Sequence, residues 1–207
     1  KGDFKNIVNA NLCSFAKTKL KIFQHSKNHY SLNSPIRYEI RKGLLDGVYI
    51  NRLVVFLRGT GCEWMKIGGG CTMCGFHLAT NAGMKINDDE MFEQVEKTIN
   101  ETKKHYYPVL CLYNDGNFLN VNEISRDVLA KIFKLINKSK WIKKLIVESR
   151  PEYITDESLS FVKTHLIVDF EIATGLETTS DKIRFNCLNK GFSFNDFKRI
   201  YFKTLSY

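Results

Sequence analysis

Apolar residues in this chain follow two rhythms that alternate along its length. Short runs rich in Val, Leu and Ile at residues 52–57, 109–113, 144–148 and 166–172 predict four strands, each bounded by turn-forming residues. Between them lie longer stretches with a helical repeat. Val128, Leu129, Ile132, Leu135 and Ile136 recur at that spacing and predict a helix over 124–136 whose stripe faces the core. A helix is predicted over 88–105, where Asn87 and Glu90 have capping-box spacing. Another is predicted over 156–163 with Thr155 as its N-cap, and a last one from Ser193, with Asp196 three residues on. The first fifty residues are lysine-rich and weakly patterned, and lead into a predicted helix over 36–45 stopped by Gly47. Residues 1–48 therefore read as an N-terminal extension packed on a main domain of residues 49–207.

Strand followed by helix, four times over, implies an α/β fold with a parallel sheet and right-handed crossovers. An open doubly wound sheet and part of a barrel both satisfy the pattern, and both bind ligands beyond the carboxyl ends of their strands. The residues at those ends are unusual. Cys62, Cys71 and Cys74 follow the first strand in RGTGCEWMKIGGGCTMCGF, and Asn114, Asp115, Gly116 and Asn117 follow the second. Glu148 and Arg150 stand at the end of the third, and Gly175, Leu176 and Glu177 follow the fourth. Singly, the Asn-Asp-Gly-Asn run suits a turn, Glu148 and Arg150 suit an ion pair, and Glu177 suits a helix cap. Their common placement at one mouth is what marks a site.

The cysteine spacing, Cys-x8-Cys-x2-Cys, brings three soft thiolates within thirteen residues, a ligand set for zinc or for an iron–sulfur cluster. His77 extends the run and could complete a tetrahedral Cys3His set, so a zinc-stabilised RNA-binding module stands beside the cluster reading. A structural zinc site, however, has no need of the other three loops. Cys13, Cys111 and Cys187 lack ligand spacing and are assigned to core or surface, with Cys111 as the alternative fourth thiolate. His77, His105 and His165 are given solvated or packing roles.

Composition adds bounds. With 43% hydrophobic and 26% charged residues, the chain can bury one sizeable core. Six Cys in 207 residues is not disulfide-dense, and the first residues lack a signal-peptide pattern, so reduced thiols and a cytoplasmic setting are expected. The longest apolar run is far too short to cross a membrane. Lys+Arg 31 against Asp+Glu 22 gives a formal charge of +9, which favours polyanions such as RNA.

Together these segments resemble the radical S-adenosylmethionine (SAM) superfamily. In detail, RGTGCEWMKIGGGCTMCGF is similar to the cluster loop of the radical-SAM subunit of archaeosine synthase and its bacterial relatives, with a widened first cysteine spacing and glycines before the second cysteine. YNDGNFLN, IVESRPEYIT and IATGLETTSDKIRFNCLNKGF are similar to the same group and, more loosely, to the Elongator catalytic subunit. The resemblance covers about residues 50–200 and implies a parallel-sheet (β/α) partial barrel of radical SAM type. That core has six units, so a chain with four reads as truncated, a fragment lacking its last strands.

The resemblance also implies roles. Cys62, Cys71 and Cys74 would bind a 4Fe-4S cluster with one open iron, and Met73 would approach the adenine of SAM. Asn114, Asp115, Gly116 and Asn117 would bind the methionine amino group in place of the superfamily's Gly-Gly-Glu. Glu148 and Arg150 would face the ribose and carboxylate, and Glu177 would make a further cofactor contact. The implied chemistry is one-electron cleavage of SAM to a 5′-deoxyadenosyl radical that takes a hydrogen atom from substrate, with no general base. The implied substrate is a tRNA carrying a lysine-modified 7-deazaguanine, cleaved in a lyase step beside a separate lysine-transferring subunit. A small molecule or peptide is the rival substrate.

Overall fold

The structure, a computed structural model, describes residues 31–75, 81 and 84–207. It begins with a β-hairpin, β1 (Arg37–Leu45) and β2 (Val48–Phe56), paired antiparallel from Leu45↔Val48 to Arg37↔Phe56. The helix expected over 36–45 is therefore corrected to a strand. Gly47 fits a helix stop and a hairpin turn equally, and the deciding signal is Asp46-Gly47, both at positive φ (51° and 77°), as a two-residue primed turn requires. The predicted first strand is the carboxyl part of β2, which starts earlier, at Val48.

Beyond the hairpin the alternation holds. The cysteine segment contains a short helix, α1 (Glu63–Gly68), which was not expected. It is followed by α2 (Asp88–Thr102), β3 (Val109–Tyr113), α3 (Arg126–Lys138) and β4 (Lys144–Glu148). A 3-10 turn (Pro151–Tyr153) leads into α4 (Asp156–His165), then β5 (Asp169–Ala173), α5 (Asp181–Asn186) and α6 (Phe194–Thr204). The capping boxes at Asn87/Glu90 and Ser193/Asp196 are both present, and Thr155 caps α4. The fourth predicted strand lies a little later than expected, because Leu166 closes α4.

The sheet order is β1-β2-β3-β4-β5, with β2 to β5 parallel. Each parallel strand is added beside the one before it, without the reversal of a doubly wound sheet, so the winding is that of a barrel left open. Helices α2, α3, α4 and α6 contribute apolar residues to one face of the sheet. There Leu53, Val55, Leu110, Leu112, Leu145 and Val147 pack against Val95, Ile99, Leu129, Ile132, Phe133 and Ile136. The other face has a smaller cluster of Val54, Phe56, Val109, Cys111 and Ile146, with no helix residue in it. Among the described residues no helix is long and apolar enough to cross a membrane.

Candidate active site

Parallel strands deliver the four loops to one end of the sheet. The first two loops meet closely: Leu57 N–H donates to Tyr113 O at 2.7 Å, and a Cβ on Gly59 would lie 2.5 Å from Asn114 O. Only glycine permits that approach.

Cys62 occupies the N-cap position of α1, and Cys71 and Cys74 follow its glycine-rich exit, where Gly69 and Gly70 take positive φ (77° and 72°). The loop is clamped by a segment more than a hundred residues away. Trp64 Nε1 donates to Asn189 O (2.7 Å), and Asn189 Nδ2 donates to Gly68 O and Gly70 O (2.8 Å each). Thr72 donates through Oγ1 to Cys187 O (2.8 Å) and through its backbone N–H to Leu188 O (3.0 Å). Gly191, at φ 71°, lies under the Trp64 ring, where any Cβ would collide with the indole. The NKGF part of the fourth quoted segment, given no role from the sequence, is thus what holds the cysteine loop.

The loop after β3 is built around Glu123, a buried carboxylate absent from the predicted site. It accepts from Glu63 N (2.9 Å), Asn114 Nδ2 (3.3 Å), Asn117 N (2.5 Å), Asn117 Nδ2 (2.6 Å) and Asn120 Nδ2 (3.1 Å). Its carboxylate also lies where a Cβ on Gly116 would be. Burial pushes the Glu123 pKa up, and these donors pull it back. Glu63, one residue past Cys62, receives Tyr153 OH (2.8 Å), Asn120 Nδ2 (2.7 Å) and Asn122 Nδ2 (3.0 Å), which hold its carboxyl below the usual range. Carboxylates in mid-loop look like solvated surface in a sequence, and only the asparagines around Glu123 hinted otherwise.

Glu148 and Asp115 are neighbouring buried acids. Burial, then the nearby Asp115 carboxyl, pushes Glu148 up to about 8, and burial raises Asp115 to about 7 against the pull of Arg37 and Arg58. Arg150 pairs with Glu152 (2.6 Å), not with Glu148, and its guanidinium lies over the rings of Trp64 (4.8 Å) and Phe192 (5.3 Å). Glu177 pairs with Lys190 (3.5 Å), while the cap of α5 is Ser180. Burial raises the Cys71 thiol, opposed by Lys190 and Arg150, and burial followed by the Glu123 charge raises Cys62 to about 11.

Among the described residues, several buried polar atoms at this mouth have no hydrogen-bond partner: Asn114 Oδ1, Glu148 Oε1, Ser149 Oγ, and Nη1 and Nη2 of Arg150. Met73 is half exposed on the cysteine loop. His77 lies outside the described residues, as does Cys13. Cys111 is buried on β3 against Val54 and Ile146, His105 stacks on Tyr107, and His165 stacks on Phe161. Among the described residues no group of three or more His, Cys, Asp or Glu converges tightly enough for one metal ion.

No family model matches the chain. It is 35% identical over 189 residues to archaeosine synthase subunit beta of Methanosarcina acetivorans, covering 89% of this chain and 53% of that protein. It is 27% identical over 148 residues to archaeosine synthase subunit beta of Thermococcus kodakarensis, covering 70% and 45%. The chain thus spans about half the length of these relatives. Its fold is similar to that of a solved queuine lyase from Clostridium spiroforme bound to SAM and queuine, with a TM-score of 0.58, 24% identity, and coverage of 78% of this chain and 63% of that one. The open, mostly parallel sheet is the fold it shares with that lyase. In sequence the chain is a relative of the archaeosine synthase beta subunits over about half their length.

Proposed function

We propose that residues 49–207 are the cofactor-binding core of a radical SAM enzyme of tRNA modification, with Cys62, Cys71 and Cys74 holding a 4Fe-4S cluster. The observation that carries this reading is the set of buried polar atoms without partners beside the cysteine loop. An unpaired buried donor or acceptor costs about 1–3 kcal/mol, so five at one mouth fit a polar ligand that satisfies them. Their chemistry suits the amino-acid end and ribose of SAM. Asn114 Oδ1 would accept from the ammonium, the Arg150 guanidinium would hold the carboxylate, and Glu148 and Ser149 would take ribose hydroxyls. Asp115, Gly116 and Asn117 shape the loop that carries Asn114, Met73 flanks the adenine, and Glu177, set by Lys190, closes the side after β5.

Three thiolates within thirteen residues are a ligand set for a cluster, and the unpaired polar atoms brought beside them by the loops after β3 and β4 are ones a structural zinc site has no need of. Bound together, the cluster and SAM supply a 5′-deoxyadenosyl radical by one-electron cleavage. The protein's own work is to orient and to exclude water. The Trp64 and Phe192 rings hold the Arg150 guanidinium, and the clamp at Asn189 fixes the cysteine loop.

The similarity to archaeosine synthase beta subunits supports a lysine-modified 7-deazaguanine tRNA as substrate, a lyase step, and a separate lysine-transferring partner subunit. The test is anaerobic reconstitution with iron and sulfide, followed by electron paramagnetic resonance with and without SAM. A brown protein whose reduced spectrum changes with SAM, and which loses its colour when the three cysteines are replaced by Ala, is the expected result. A colourless protein that takes up zinc overturns the reading.

A further inference from the structure

Resting on that reading, we propose that Asn117 is a positioning residue whose side-chain amide donates a hydrogen bond to the Cys62 thiolate and thereby raises the reduction potential of the cluster. Asn117 is fully buried, and its Nδ2 lies 3.5 Å from Cys62 Sγ. The amide cannot be turned the other way. Its Oδ1 accepts from the backbone N–H of Arg150 at 3.0 Å, a group that only donates, and its Nδ2 donates to the Glu123 carboxylate at 2.6 Å, a group that accepts. One amide proton goes to Glu123 and the other faces the sulfur. Both N–H donors of the side chain and one lone pair of its oxygen are therefore used within the protein.

Electrostatics gives this bond its effect. The Asn117 amide stands between the Glu123 carboxylate and the Cys62 sulfur and presents a donor to each. A donor aimed at a ligating sulfur stabilises the more negative, reduced cluster and raises its potential, and such outer contacts also orient the ligand. The charge-assisted N–H···S bond to a thiolate is stronger than the bond to the thiol.

The test is redox titration of the reconstituted wild-type protein, Asn117→Ala and Asn120→Ala, followed by electron paramagnetic resonance. Asn120 also donates to Glu123 and makes no bond to Cys62, so it reports a purely structural loss. A midpoint potential shifted to more negative values in Asn117→Ala alone supports the proposal. Equal potentials in all three proteins, or an equal shift in both variants, overturn it while the cluster reading stands. Should Asn117→Ala hold no cluster, the wild type with isotopically labelled asparagine amides decides. Hyperfine coupling of the labelled nitrogen to the reduced cluster supports the bond, and its absence overturns it. A wild type that binds no cluster overturns this proposal and the function above together.

Discussion

Glu123 holds five bonds on one buried carboxylate, so removing it takes the acceptor from Glu63 N, Asn114 Nδ2 and Asn117 N and leaves Asn120 Nδ2 only Glu63 and Asn117 Nδ2 only Cys62. Glu123→Ala is expected to cost about 3–5 kcal/mol, measured by denaturant unfolding, and to lower iron retention on desalting. Glu148 sets a pH dependence of known sign. Its folded pKa, about 8, lies above the ordinary carboxyl value, so the folded state holds a proton that the unfolded state releases. Its contribution is full below the unfolded value and is lost as pH rises towards 8, with Asp115 acting in the same direction and the Glu123 charge reinforcing it. Thermal melts of the ligand-free protein should fall from pH 5 to 8, and Glu148→Gln should flatten that fall. The three cysteines stand out as a candidate ligand set from spacing alone, because thiolates so close in sequence have few roles. Glu123 was not legible, since a lone loop carboxylate gives no local sign of its burial.

At the scale of elements, the clamp between the cysteine loop and residues 187–192 is the most sensitive junction. Gly191→Ala places a Cβ into the Trp64 ring at a backbone conformation that side chains disfavour. It is expected to reduce cluster loading several-fold while the far-ultraviolet circular dichroism stays native, and Asn189→Ala should do the same through loss of two bonds to the loop. Core variants should act differently. Phe133→Ala on α3 empties a fully buried site and should cost about 3–5 kcal/mol of global stability. Helices α2, α3, α4 and α6 were legible because caps and stripes are local signals, and α3 and α6 begin within two residues of their expected starts, whereas the six-residue α1 and α5 were not expected. The β1–β2 hairpin was misread because a charged, half-exposed edge strand has weak alternation, and its glycine turn serves either element.

On the scale of the whole molecule, helices cover one face of the sheet and the other carries strand residues with cations above them. Arg37 and Arg41 lie 4.8 and 5.4 Å from the centre of the Phe56 ring on that open face. With a formal charge of +9, a tRNA complex should weaken steeply with salt, and Arg41→Ala should reduce the log–log salt slope by about 1, measured by filter binding. By itself, the sequence determined the βα alternation, the capped helix starts and the gathering of the cysteine, Asn114–Asn117, Glu148 and Glu177 segments at one end of the sheet. Each of these rests on periodicity, spacing or a connection rule that acts over a few dozen residues. Tertiary structure alone decided the barrel-type strand order, the Glu123 hub, the pairing of Arg150 with Trp64 and Phe192, and the Asn189 clamp. Those contacts join residues up to 125 positions apart, and their energies exist only once the sheet has brought the loops to one mouth.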